Sequence, residues 1–188
     1  MKRQVMWLRS DTPSMEHLAL IMRGGEAEAD GIVLGVENGA AFPLRYTVRC
    51  DSRWRVRRAG VSFVDGGRGL SLTADGEGRW FDASGAAVPA LDGCVDVDIT
   101  ATPLTNTLPI RRLALKRGES ADIKVAYVTI PELRVTPDEQ RYTCLETDAA
   151  GGRYRFEQVG SGFTAVLQVD ADGLVEDYPG LFKRVWGA

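Results

Sequence analysis

Three aspartates, four threonines, an asparagine and two adjacent arginines crowd into Leu91–Leu113, LDGCVDVDITATPLTNTLPIRRL. Read as a strand, its first half places Asp92, Cys94, Asp96, Asp98, Thr100 and Thr102 on one face, and Val95, Val97, Ile99 and Ala101 on the other. Asp96 and Asp98 then stand about 6.6–6.8 Å apart, from the rise per residue. Two carboxylates that close repel unless a cation is near. Arg111 and Arg112 are the candidates, because a turn over Pro103–Pro109 can fold the second half back as a strand beside the first. One arginine would face the aspartates and the other would face away, and the alternation leaves open which.

Such a cluster supports two readings. It can be an Asp–Arg network that fixes the register of a sheet. It can equally be a polar floor that grips a sugar or phosphate head group, with carboxylates accepting from hydroxyls and guanidinium donating to phosphate. Hydrolysis of a glycosylated or acylated small substrate through Asp96/Asp98 is the alternative. Glycosidase carboxyls stand about 5–5.5 Å apart in retaining enzymes and about 6.5–9.5 Å in inverting ones. Two acids on one strand, however, do not flank a bond from opposite sides.

Other chemistry is thinly represented. His17 is the sole histidine, so any triad would have to use it, and it sits beside Glu16 in a strand candidate. Cys50, Cys94 and Cys144 are too widely spaced for a metal site and read as small buried thiols. Asp170, Asp172 and Gly173 resemble a calcium loop with an incomplete core, and a hairpin turn accounts for them. Gly66-Gly67 is a turn, not a phosphate loop. No cofactor or metal is expected, and no catalytic residue is assigned. Aromatic residues with polar tips suit a pocket for a ligand with apolar and sugar parts. Trp54, Trp80 and Tyr142 therefore join Arg57, Asp92, Asp96, Asp98, Asn106, Arg111 and Arg112 as candidate ligand-binding residues.

The elements that must position these residues are almost all strands. Leu44–Cys50 alternates cleanly, and Gln4–Arg9, Gly31–Glu37, Trp54–Val64, Ala121–Ile130, Gln140–Leu145, Arg153–Gln158 and Phe163–Val169 are β-prone. Glu16–Arg23 reads as a further strand. Asn38-Gly39, Asp75-Gly76 and Asp172-Gly173 are hairpin signals. The tail Tyr178–Val185 reads as a short helix. About twelve strands with little helix predict one all-β domain spanning residues 1–188. A sheet of that size should curl, close or fold over.

The 188 residues carry a net charge of −3, which offers nucleic acid no basic footprint. No apolar run of signal-peptide or membrane-span length follows the basic start, so the expectation is a cytoplasmic protein with no transmembrane segment.

The motif LDGCVDVDITATPLTNTLPIRRL, followed by GES at Gly118–Ser120, closely resembles the signature of the Putative glycolipid-binding family, formerly a domain of unknown function. RYTVRCDSRWRVRR around Trp54, QRYT at Gln140–Thr143 and VDADGLVEDYPGLF near the end match in the same order, across nearly the whole chain. The resemblance implies a large antiparallel sheet curled into a roll or half-barrel, a shape likened to bacterial lipoprotein carriers. It implies non-enzymatic binding or carriage of an amphipathic ligand, such as a glycolipid, in the cleft of that sheet. It transfers no catalytic residues. The binding candidates rest on their own chemistry.

Overall fold

The computed structural model describes residues 1–188. Fourteen strands form one sheet. In chain order they are β1 (Lys2–Arg9), β2 (Ser14–Arg23), β3 (Glu26–Glu37), β4 (Ala40–Cys50), β5 (Val56–Phe63), β6 (Gly69–Ala74), β7 (Trp80–Phe81), β8 (Asp96–Ile99), β9 (Ser120–Thr129), β10 (Arg134–Asp148), β11 (Gly151–Gln158), β12 (Phe163–Asp170), β13 (Val175–Tyr178) and β14 (Phe182–Gly187). Across the sheet they run β7-β6-β5-β4-β3-β2-β1-β14-β13-β12-β11-β10-β9-β8. Nearly every neighbour is the next strand in the chain, joined by a hairpin. The exceptions are β1–β14, which brings the two ends of the chain together, and the parallel pair β8–β9.

The sheet is curled without closing into a barrel. No ladder joins the edge strands β7 and β8, but two hydrogen bonds tie their surroundings: the Gly93 amide donates to Gly78 O at 2.9 Å, and Trp80 Nε1 donates to Cys94 O at 2.7 Å. Alternation decides which side chains fill the roll. In β4, Leu44, Tyr46, Val48 and Cys50 are buried while Arg45 and Arg49 are exposed.

Two expectations are corrected. The second half of the central motif is not a returning strand but a helix, α1 (Leu104–Leu113). The parallel pairing of β8 and β9 explains why. A chain that leaves one end of β8 must travel back to the other end before it can run parallel, and a helix is the usual carrier. Pro109 lies inside α1, where proline costs about 3 kcal/mol. Burial of Leu104, Leu108 and Ile110 at about 1.5–3 kcal/mol each offsets that cost. The tail is likewise not helical: a turn after Tyr178 leads into β14, whose backbone partners are on β1 and β13.

Helix α1 lies inside the curl, with Leu104 through Ile110 all buried. Leu104 and Leu108 join the larger apolar core, made mainly by β1–β8, while Ile110 joins a second cluster with Tyr142, Phe156, Leu167 and Tyr178. The roll is thus filled by its own chain. No helix is long and apolar enough to cross a membrane.

Candidate functional site

Alternation along β8 holds: Val97 and Ile99 enter the core, and Asp96 and Asp98 turn together towards α1. Their fates then diverge. Asp96 is fully buried and clasped by Arg112, with Nη2 at 2.5 Å from Oδ2 and Nε at 3.1 and 3.2 Å from the two oxygens. Burial raises the Asp96 carboxyl above the usual range, and Arg112 pulls it back. Asp98 is only half-buried. It accepts from Thr105 Oγ1 at 2.8 Å and from Gln140 Nε2 at 2.7 Å. Burial raises its carboxyl too, and the charge of Asp138 adds to the effect.

Two clefts remain beside α1. The first, about 250 Å³, opens at the N-terminal end, where Asp98, Thr102 and Asn106 meet Tyr127, Phe156, Gln158, Phe163, Tyr178 and Phe182. Its rings form a continuous belt. Phe156 stands 6.2 Å from both Phe163 and Tyr178, and Tyr178 stands 6.1 Å from Phe182. These spacings lie within the range of attractive aromatic pairs. The polar lining groups Asp98, Asn106 and Gln158 are tied to residues behind the cleft. Gln140 bridges Asp98 and Asp138, and Gln158 donates to Asp138 at 3.1 Å. Asn106 Nδ2 donates to the Tyr142 hydroxyl at 2.8 Å. At the rim the Arg9 guanidinium lies 5.7 Å from the Phe182 ring and pairs with Asp11 and Glu37.

Behind Thr102 lies a buried acid that the sequence reading left out of the site. Glu16 accepts hydrogen bonds from the hydroxyls of Tyr46 and Thr102 at the same oxygen, while Oε2 is buried without a partner. Burial pushes its carboxyl up to about 8, against those two bonds, so it is protonated at neutral pH. The contact depends on a glycine. A Cβ at Gly31 would lie 2.1 Å from Tyr46 Cε1, so the ring crosses β3 over bare backbone to reach β2. The signal was present in the sequence: Glu16 shares the inward parity of Leu18 and Leu20.

The second cleft, about 350 Å³, opens at the C-terminal end of α1 and is lined by Trp54, Arg111, Asp148, Tyr154, Asp170 and Gly173 among others. Arg111 turns away from the aspartates and lies over Trp54, 5.0 Å from the ring centroid.

The sequence candidates therefore separate. Asp98 and Asn106 line the first cleft, and Trp54 and Arg111 the second. Asp96, Arg112, Tyr142 and Trp80 are occupied in packing and internal bonds, with Trp80 only 1% exposed. Arg57 and Asp92 lie on the surface, Arg57 at 3.8 Å from Asp51. Cys50, Cys94 and Cys144 are buried free thiols. Tyr127, Phe156, Gln158, Phe163 and Phe182 come to the first cleft only through pairing of strands distant in sequence, which no local pattern announces.

Residues 4–184 match the family described as Putative glycolipid-binding. The chain belongs to this family. A crystal structure of a DUF1089 family protein from Pseudomonas aeruginosa, at 1.80 Å resolution, is 44% identical and covers 94% of this chain and 95% of its own, with a TM-score of 0.79. A search of curated proteins returns no match. The fold is thus shared with a family member, and a fold names no ligand.

Proposed function

We propose that the protein is a binding or carrier protein for an amphipathic ligand of the glycolipid class, and that the cleft at the N-terminal end of α1 takes the polar head. One observation carries this reading: aromatic rings and the carboxylate and amide groups of Asp98, Asn106 and Gln158 together line a space of about 250 Å³. Sugar rings present apolar C–H faces and hydroxyl edges, and such a cleft answers both. Each oxygen of Asp98 already holds one protein donor and can accept another.

The size limits what enters. Sites for drug-sized ligands span about 300–1,000 Å³, and the roll is filled by α1. The cleft therefore suits a head group, with the apolar part of the ligand outside it. Hydrolysis through Asp96/Asp98 draws no support from the geometry, because Asp96 is sealed behind Arg112.

Titration with octyl glucoside below its micellar concentration, followed by NMR, tests the proposal against octanol as control. The glucoside should shift the resonances of Tyr127 and Tyr178, octanol should leave them unmoved, and Asp98→Asn or Tyr178→Leu should weaken the response about tenfold. Equal responses to both compounds, or shifts confined to other regions, would refute it.

A further inference from the structure

Arg111 is a cation that the fold holds in place and does not neutralise. Its neighbour Arg112 is spent on Asp96, but no carboxylate forms an ion pair with Arg111. Three features preorganise it. The Trp54 ring supports the guanidinium at 5.0 Å. Trp54 itself sits at the unusual backbone angle φ 62°, in a tight turn where its amide donates to Asp51 O and Asp51 Oδ1 accepts from the amides of Arg53 and Arg55. Such left-handed geometry in a bulky residue is costly and persists only where the surroundings enforce it. On the other side, Gly173 leaves room for the arginine stem: a Cβ there would lie 3.1 Å from Arg111 Cδ. The Gly173 carbonyl is in turn tethered to α1 by Thr107 Oγ1 at 2.8 Å, one helical turn before Arg111.

The rest of the cleft narrows the ligand chemistry. Asp170 is already neutralised, its Oδ2 meeting Arg184 at 2.6 Å and Arg3 at 3.3 Å while Oδ1 accepts the amides of Asp172 and Leu174. Asp148 accepts only the Ala150 amide, at 2.7 Å, and is exposed. The cleft thus offers one held guanidinium, one carboxylate with spare acceptor capacity, and about 350 Å³. We propose that it is a second binding site, distinct from the aromatic cleft, for a phosphate ester of a polyol. The planar Arg111 fork meets two phosphate oxygens, and Asp148 accepts from a neighbouring hydroxyl. A bare anion would satisfy Arg111 but be repelled by Asp148, and a neutral sugar would leave Arg111 unanswered.

Titration calorimetry of the full chain with glucose 6-phosphate, glucose and inorganic phosphate tests this, with vesicles of phosphatidylcholine containing or lacking phosphatidylglycerol as a parallel arm. Glucose 6-phosphate should bind more tightly than glucose, and only the glucose 6-phosphate binding should depend on Arg111. Arg111→Met should weaken binding about tenfold or more, Arg111→Lys should retain part of it, and Asp148→Asn should weaken the sugar phosphate relative to inorganic phosphate. Arg111-dependent binding to phosphatidylglycerol vesicles without binding of glucose 6-phosphate would assign the same phosphate chemistry to a lipid head group. Binding that survives Arg111→Met in a protein that unfolds as the parent does, or no binding in either arm, overturns the proposal. Asp98→Asn should leave the Arg111-dependent binding unchanged, which separates this site from the aromatic cleft.

Discussion

Polar groups around α1 meet two different fates. Arg112, in the last turn, closes Asp96, Thr105 and Gln140 close Asp98, and Glu16 is held beside the hydroxyls of Tyr46 and Thr102. Thr102 Oγ1 also accepts the Leu104 amide at 3.0 Å, so this network satisfies the first free amide of the helix. At the C-terminal end, Arg111 rests on Trp54 with no carboxylate partner. Adjacent residues of one motif thus serve different ends: the first group sets the geometry of the roll, and the last arginine is left for something outside the chain. Polarity in a sequence does not by itself mark a site. What separates the two is whether the fold completes the hydrogen bonds of each group.

This contrast can be broken most forcefully at Arg112. Replacing it with Met strands a fully buried Asp96 carboxylate and should cost about 3–5 kcal/mol in urea unfolding. The double variant Asp96→Leu/Arg112→Met should recover most of that loss, since replacing both partners removes the unpaired charge. A small effect of Arg112→Met would place the pair with surface ion pairs instead.

Glu16 sharpens the contrast through pH. Its carboxyl titrates near 4.5 in the unfolded chain and at about 8 when folded, so between those values the folded state holds a proton that the unfolded state has released. Its contribution to stability is fully present below 4.5 and is lost as pH rises towards 8, at up to about 1.4 kcal/mol per pH unit. Glu16→Gln should flatten that part of the stability profile. Parallel profiles for parent and variant would mean that Glu16 is not a buried neutral acid.

A smaller effect is expected at Gly31. Alanine there would collide with the Tyr46 ring and should destabilise the protein by about 1–3 kcal/mol, measured by denaturant unfolding. It should also detach Tyr46 from Glu16 and, by removing a bond that holds that carboxyl down, extend its pH dependence to higher pH. An unchanged midpoint would show that the ring has an alternative path.

Much of this was legible in the sequence, for identifiable reasons. The strands follow from period-2 alternation, as in Leu44–Cys50, and from hairpin pairs such as Asn38-Gly39. The shared face of Asp96 and Asp98 follows from the same period, whereas Arg111 and Arg112 diverge as consecutive residues of a helix, not by strand alternation. The helix was hidden because two prolines and three polar residues sit within Pro103–Pro109, and its formation is dictated by the parallel pairing of β8 with β9. The apolar spacing of Leu104, Leu108 and Ile110 was too short a signal to outweigh them. The tail was read as a helix because Phe182–Gly187 is a strand through its pairing with β1, distant in sequence, and with the short β13. The aromatic belt escaped for a similar reason: Tyr127, Phe156, Phe163 and Phe182 belong to four different strands.

The central claim is that folding consumes Arg112 and leaves Arg111 free, and urea unfolding of Arg111→Met beside Arg112→Met measures it directly. Arg111→Met should lose only the contact with Trp54, about 1 kcal/mol or less, while Arg112→Met loses several times more. Equal losses in the two variants would contradict the account, because Arg111 would then be as much a part of the framework as its neighbour.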